Sequence, residues 1–396
     1  MKKVITPVGT SIFTNYEENS NKLDIQLKVL KNEKIENWSK LQDSRILQVR
    51  EEIGKWVKGK KDISAEINSL YKIYEQVKED LEVYLICSET ILSRLAGEII
   101  SDYFNNQPNS PIRVNFDYER ADRIKGLQVE DRLRFEQEGI VNLVKRFNEI
   151  TGGYTENVIM NITGGYKGVI PYLSILGQIN NVPIYYIFED TEELIRIPQA
   201  PINLDKGLFI KYHKVFQELS EGILESWEQY KRRHNIGDDF KDCIMEYTDG
   251  KETVIGLNGI GRMLWEEYKH QYEIVYFPYE SKYSKEDVNK KKALEKAILE
   301  LIRRLRQLAD PQKVKMDKDL NHLDDKGPEY VYKHTNPQIR IQYKYDFADG
   351  KLIIYNYYFI NDGVVDKKYE KYFDEEFPNL KKREVFPVAI EARNAY

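Results

Sequence analysis

The chain has 396 residues, a formal net charge of -5 and two cysteines, Cys87 and Cys243. That length suffices for two or three domains, each with its own core. The cysteine count excludes a disulfide framework or a cysteine zinc site, and the net charge excludes a generally basic nucleic-acid coat, leaving phosphate work to local patches.

Met1-Lys2-Lys3 leads into a short strand pattern rather than a secretion signal, and no run approaches the roughly 18 apolar residues that span a bilayer. A soluble cytoplasmic protein is expected. Val4-Ile5-Thr6-Pro7-Val8 reads as a strand running into the small polar turn Gly9-Thr10-Ser11. Helical spacing follows over 23–58 and 65–78. Leu81-Glu82-Val83-Tyr84-Leu85-Ile86-Cys87 reads as a buried strand, with Ser88-Glu89-Thr90 and a helix over 91–103 behind it. Strands over 112–116, 158–162 and 183–188 then alternate with helices over 129–150 and 167–179. Such alternation implies parallel crossovers, so 1–205 is predicted to be one α/β domain.

From 206 to 268 the chain is helical and charged, broken by Thr248-Asp249-Gly250 and by Gly256-Leu257-Asn258-Gly259-Ile260-Gly261. It reads as a helical connector with a turn-rich insert, of the kind a degenerate winged helix shows. Over 269–396 the prediction is a strand at 272–279, helices at 285–309 and 312–322, and strands at 330–334, 339–346 and 351–360. Asp349-Gly350 marks a hairpin between the last two. One strand, two helices and an antiparallel meander make a small α+β domain.

The first candidate site is Asn161-Ile162-Thr163-Gly164-Gly165-Tyr166-Lys167-Gly168. Its glycines let backbone N–H groups approach a ligand, the next helix points its N-terminus there, and Lys167 adds a positive charge. A lone Gly-Gly is more often an ordinary turn. A second small polar turn at Gly9-Thr10-Ser11 shifts that balance, because right-handed crossovers bring both turns to one sheet edge. Neither a dinucleotide fingerprint nor a P-loop is present, which argues against an ordinary dehydrogenase or NTPase.

Val8-Gly9-Thr10-Ser11 together with Asn161-Ile162-Thr163-Gly164-Gly165-Tyr166-Lys167 resembles the two signature motifs of CARF domains, the sensors of type III CRISPR ancillary effectors. The resemblance implies a Rossmann-like fold and a homodimer that binds one cyclic oligoadenylate across its two-fold axis, cyclic tetra-adenylate first and cyclic hexa-adenylate second. A two-fold ring suits an isologous interface, which presents the same patch twice. Carried onto this chain, Gly9, Thr10 and Ser11 would contact phosphate or ribose, and Thr163, Gly164, Gly165 and Lys167 would hold phosphates. Ser88 and Glu89 join them by position alone.

The common effector partner of such sensors is a HEPN ribonuclease, marked by Arg, four to six residues, then His. None of the five histidines has an arginine at that distance, and Asp346 after Lys344 lacks the order of the Asp and then Glu-x-Lys that a metal-dependent nuclease carries on a strand. The C-terminal element order instead resembles the RelE toxin family, which cuts mRNA in the ribosomal A site. The match runs from Tyr330 to Tyr343 and on through Asp349-Gly350-Lys351-Leu352-Ile353-Ile354-Tyr355. It implies a basic residue on one strand and an arginine on the next facing RNA, positions that Lys333 and Arg340 occupy, and a metal-independent endoribonuclease without cofactor.

Period-two alternation puts Arg340, Gln342 and Lys344 on one face and Ile341, Tyr343 and Tyr345 on the other. Lys333, Arg340 and Lys344 are therefore candidates to stabilise a cleavage transition state, with His334 as acid or base. A solvated strand face is the bland alternative, weakened by Tyr355, Tyr357 and Tyr358 on the neighbouring strand and by Lys367, Lys368, Tyr369 and Lys371. His322 reads as structural. The expectation is a cyclic oligoadenylate-activated nuclease acting on ribosome-bound mRNA. A ligand-responsive CARF transcription regulator and a ring nuclease degrading cyclic oligoadenylate are the alternatives.

Overall fold

Val4 and Ile5 are neighbours in the chain and both fully buried, as in a strand covered on both faces. The structure, a computed structural model, describes all residues except 41–42, 59, 61–62, 129–130, 189–192, 202–203, 250–251, 280, 324–329, 361–365 and 393–396. The chain divides into two units, Met1–Leu204 with Lys214–Glu267, and Asp205–His213 with Tyr268–Tyr396.

The first unit holds a six-stranded sheet: β1 (Lys2–Pro7), β2 (Leu81–Ile86), β3 (Ile112–Asn115), β4 (Val158–Asn161), β5 (Ile184–Ile187) and β6 (Leu194–Ile197). They lie in the order β3-β2-β1-β4-β5-β6. The first five run parallel, and β6, not foreseen from the sequence, closes one edge antiparallel. This is a Rossmann-like order, reversing direction between β1 and β4, where open α/β sheets leave a crevice beyond the strands' carboxyl ends. Val4, Val83 and Leu85 pack on one face with the helices Ser11–Asn19, Ala65–Val77 and Ile91–Asn105. Ile5, Ile86 and Met160 pack on the other with Ile140–Thr151 and Ile170–Ile179.

The helical spacing over 23–58 belongs to three pieces, Asp24–Leu30, a 3-10 turn at Ile35–Lys40 and Asp43–Trp56. Asn32 adopts φ +59°, a left-handed residue that a helix cannot contain. The predicted connector is largely absorbed into the first unit, since Lys214–Glu267 groups there. It contains a helix at Trp227–His234 and a hairpin of β7 (Ile244–Asp249) and β8 (Glu252–Leu257). The helix Gly259–Gln271 is tied down by Met263 in the core and by the fully buried Glu267, which accepts from Asn148 Nδ2 at 3.0 Å and Asn180 Nδ2 at 2.6 Å. Gly250 of the predicted turn lies outside the described residues.

The second unit is built on β9 (Tyr272–Pro278), β10 (Tyr330–Thr335), β11 (Gln338–Asp346), β12 (Lys351–Phe359) and β13 (Val385–Glu391), ordered β10-β11-β12-β9-β13. The antiparallel meander β10-β11-β12 is as expected. The helix Val288–Leu308 lays Leu294, Ile298, Leu301 and Leu305, spaced three and four apart, against Val275, Ile341, Tyr343 and Ile354. The second predicted helix is only Pro311–Met316.

In this unit β13 and the helix Asp366–Leu380 escaped the sequence reading. β13 pairs antiparallel with β9 and so carries Pro387 on an edge strand, where proline is tolerated. The helix Asp366–Leu380 crosses the sheet face opposite Val288–Leu308, with Phe373 edge-on to Tyr358 (5.0 Å between centroids) and Phe377 edge-on to Tyr355 (5.1 Å). Its apolar signal is little more than that four-residue spacing in a charged segment containing Pro378.

Ile298 is fully buried between the Val288–Leu308 helix and the sheet. Ile298→Ala should lower unfolding free energy by about 2–5 kcal/mol, read from urea denaturation. A change below about 0.5 kcal/mol, typical of a surface position, would contradict this packing.

Candidate functional site

β1 and β4 are adjacent and parallel, with Val4 opposite Ile159 and Ile5 opposite Met160, so the turns that follow them meet at the reversal point. The approach is close enough to require glycine on both sides. A Cβ on Gly9 would stand 2.9 Å from the Gly165 nitrogen, and one on Gly165, whose φ is +93°, would stand 2.5 Å from Pro7 Cβ. No L side chain fits either place without movement.

Asn161, fully buried at the end of β4, shapes the second turn. Its amide donates to Ser69 Oγ at 2.7 Å and Thr6 Oγ1 at 3.4 Å, and its Oδ1 accepts from Thr163 Oγ1 at 2.8 Å and Thr163 N at 3.3 Å. Thr163 Oγ1 also accepts from Ile187 N at 3.0 Å. Asn161 and Thr163 thus hold the turn rather than face a ligand. Beyond them, among the described residues, no group accepts from the N–H of Gly164, Gly165 or Tyr166. Lys167 is exposed and begins a 3-10 turn that continues into the helix Ile170–Ile179.

Glu66, which the sequence reading did not single out, stands beneath both turns. Only 1% exposed, it accepts from Gly9 N at 2.7 Å through Oε1 and from Ser11 Oγ at 3.1 Å through Oε2. A Cβ on Gly164 would collide with the same carboxylate. In sequence, Glu66 follows Ser64, whose hydroxyl caps the Ala65–Val77 helix, and an acid in a first helical turn reads as an ordinary dipole partner. Its carboxylate consumes the Gly9 N–H and the Ser11 hydroxyl proton. Of the predicted ligand residues, Thr10 and Lys167 are exposed, while Gly9, Ser11 and Thr163 have donors committed internally.

Ser88 and Glu89 follow β2 on the same edge. Ser88 Oγ lies 3.1 Å from Thr90 Oγ1, and its N–H donates to Ser93 Oγ at 3.0 Å. Glu89 is 5% exposed and ion-paired with Arg134 at 2.9 Å while accepting from Gly126 N at 2.8 Å. It is a structural anchor there.

In the second unit, Lys333 and Arg340 are directly paired across β10 and β11, and Lys344 follows on the same face. The expected alternation holds, since Ile341, Tyr343 and Tyr345 turn to the Val288–Leu308 side. The expected openness does not. Arg340 is 4% exposed and Gln342 2%, because the Asp366–Leu380 helix lies over this face. The Arg340 guanidinium reaches the carbonyls of His334 and Ile339, each at 3.4 Å.

His334 departs from the group altogether, because its ring belongs to the opposite face. Nδ1 lies 3.3 Å from Tyr332 Oη and 3.4 Å from Glu300 Oε2, while Nε2 donates to the Asn336 carbonyl at 2.9 Å. Tyr357 likewise faces the core, whereas Tyr355 and Tyr358 face the covering helix. The side chains of Lys367, Lys368 and Tyr369 lie outside the described residues, and Lys371 is 3.7 Å from Glu375. Among the described residues no cluster of His, Cys, Asp or Glu could hold a metal ion, and no helix is long and apolar enough to cross a membrane.

Residues 61–200 match the family model of a CRISPR-associated protein (Cas_APE2256). That match, about a third of the chain, contains the Asn161–Gly168 turn and Ser88 but not Gly9-Thr10-Ser11. The chain is also similar to Can2 from Sulfobacillus thermosulfidooxidans, solved in complex with cyclic tetra-adenylate, at 10% identity over 76% of this chain and 77% of that one, with a TM-score of 0.20. A TM-score of that size establishes no shared fold.

Asn161→Ala would leave Ser69 and Thr163 without their shared partner. It should cost about 1–3 kcal/mol of stability, visible as a lower urea midpoint. An unchanged midpoint would mean that these bonds do not hold the turn.

Proposed function

We propose that the protein is a cyclic oligoadenylate-responsive effector of CRISPR defence. Its first unit takes the ligand at the β1/β4 reversal, and its second unit acts as an endoribonuclease. The observation that carries the first half is the meeting of two glycine turns at the reversal point, with N–H groups at Gly165 and Tyr166 that no described residue accepts and exposed Thr10 and Lys167 beside them. Backbone N–H groups and a lysine at a helix entry are anion chemistry. The match of residues 61–200 to a CRISPR-associated family supports assigning that anion to the defence messenger, and the Can2 complex suggests cyclic tetra-adenylate as the first ligand to try. Binding across the two-fold axis of a homodimer would let one ring meet two copies of each turn.

For the second unit we propose metal-independent cleavage of ribosome-bound mRNA. The β10-β11-β12 meander backed by a long helix, with Lys333 and Arg340 paired across it, supports this reading. With Arg340 covered, cleavage at that strand pair requires the Asp366–Leu380 helix to move, and a ligand drives such a change only by binding one arrangement better than the other. The transcription-regulator alternative gains nothing from the fold, since the Gly259–Gln271 helix spends Met263 and Glu267 on the first unit's core.

Calorimetry with cyclic tetra-adenylate should give binding that Lys167→Glu weakens at least tenfold, because a charge reversal replaces attraction by repulsion at the phosphates. Unchanged affinity would remove Lys167 from the site. Incubation with translating ribosomes and mRNA in EDTA should give cleavage only when the ligand is added. Ligand binding without any cleavage would refute the ribonuclease half.

A further inference from the structure

The polar stripe beneath the Asp366–Leu380 helix does not end at Arg340. Tyr358 lies directly opposite Arg340 on β12, and Asn356 opposite Gln342. A bulge at Gln342/Tyr343 leaves Tyr355 and Asn356 on the same side, so β12 turns consecutive side chains toward the helix. There they meet Glu376. Its Oε2 accepts from Asn356 Nδ2, from Tyr358 Oη at 3.2 Å and from Lys282 Nζ at 3.3 Å. Lys282 also donates to Tyr358 Oη at 3.0 Å and stands 4.2 Å from the centre of its ring. Burial raises the Tyr358 phenol pKa, so the hydroxyl keeps its proton.

Lys282, Tyr355, Asn356 and Glu376 line a cavity of about 210 Å³ together with Ser281, Asn379, Leu380 and Arg383. Arg383 is anchored by an Nη1 hydrogen bond to the Tyr279 carbonyl at 3.0 Å, which fixes its guanidinium fork at the rim. One buried polar atom of the lining is left over. Ser281 is 5% exposed, yet its Oγ has no hydrogen-bond partner. Burying polar atoms unpaired is costly, and native proteins concentrate such defects where a ligand or ordered water completes them.

The size and charge of the cavity limit what fits. Pockets for whole small ligands run about 300–1,000 Å³, so this one suits a single functional group. Lys282 and Arg383 against Glu376 leave one net positive charge among the lining residues. Lys381 and Lys382 are exposed beside Arg383, which extends the positive rim outward as a path for a strand. We propose that this cavity is the phosphodiester-binding site of the second unit, with Lys282 and Arg383 holding the monoanionic phosphate of an RNA strand and Glu376 and Tyr358 positioning Lys282.

The proposal rests on the ribonuclease reading and relocates its substrate contacts to a rim that is already open, without removal of the covering helix from Arg340. Its test is the binding of a fluorescent 2'-O-methyl oligoribonucleotide, which cannot be cleaved through its 2'-oxygen, to the full-length protein with cyclic tetra-adenylate. Cleavage of mRNA on translating ribosomes is followed in parallel. Lys282→Glu and Arg383→Glu should each weaken binding about tenfold or more. Each should also reduce the dependence of log affinity on log salt by about 0.7, the loss of one single-strand phosphate contact. Lys313→Glu, at an exposed lysine that does not line the cavity, should leave both unchanged.

Circular dichroism and the urea midpoint keep a folding defect from being mistaken for loss of the site. Lys282→Ala and Arg383→Ala, which remove charge at exposed side chains, serve as the second pair. Wild-type cleavage with binding indifferent to all four variants would overturn the proposal and leave the ribonuclease reading standing. Binding lost on the variants with no cleavage by the wild type would keep the site and sink the nuclease. An oligonucleotide that fails to bind the wild type would overturn the proposal, and the absence of ribosomal cleavage as well would overturn both.

Discussion

The contact on which the first unit depends is the approach of Gly9 to Gly165 at the point where the sheet reverses direction. Two backbones come together there because neither residue carries a Cβ, and the buried carboxylate of Glu66 secures one of them by taking the Gly9 N–H and the Ser11 hydroxyl. Asn161 performs the corresponding task for the other, spending its amide on Ser69 and Thr6 and its carbonyl on Thr163. A ligand proposed at these turns would meet the N–H groups of Gly165 and Tyr166 with Lys167 beside them. The division of labour is physical. Buried polar groups hold the two turns in place, and exposed ones are left to bind.

Glu66 also constrains the ligand. For the ligand proposed above, a carboxylate this close to Gly164 would repel a phosphate placed directly over it, which favours a phosphate toward Lys167 and Thr10 and a neutral donor such as a ribose hydroxyl near Ser11. This orientation follows from one residue that looks unremarkable in the sequence. The second unit follows the same logic in reverse, because there a helix covers the polar strand face and the open charge lies at its margin, around Lys282 and Arg383.

Much of this was legible from residue pattern. The βα alternation gave the first unit's five parallel strands, and the small polar residues after β1 and β4 marked the edge where they meet. The alternation of Arg340, Gln342 and Lys344 against Ile341, Tyr343 and Tyr345 was also correct. What periodicity could not supply was cover. A polar strand face reads the same whether it meets water or a helix, and the helix that covers it announces itself by little more than Phe373 and Phe377 among charges. His334 illustrates the related limit that adjacent strand residues face opposite ways, so its nearness to Lys333 in sequence separates their side chains in space. Glu66 was missed because its helix lies far from either turn in sequence and its position has an ordinary explanation.

The central claim is that one ligand spans the two turns. Amide hydrogen exchange of the full chain with and without cyclic tetra-adenylate tests it most directly, because it reads the backbone N–H groups on which the claim rests. Protection should appear together in the segments covering 9–12 and 163–168. Protection confined to other segments, or none at a saturating concentration of ligand, would contradict the account.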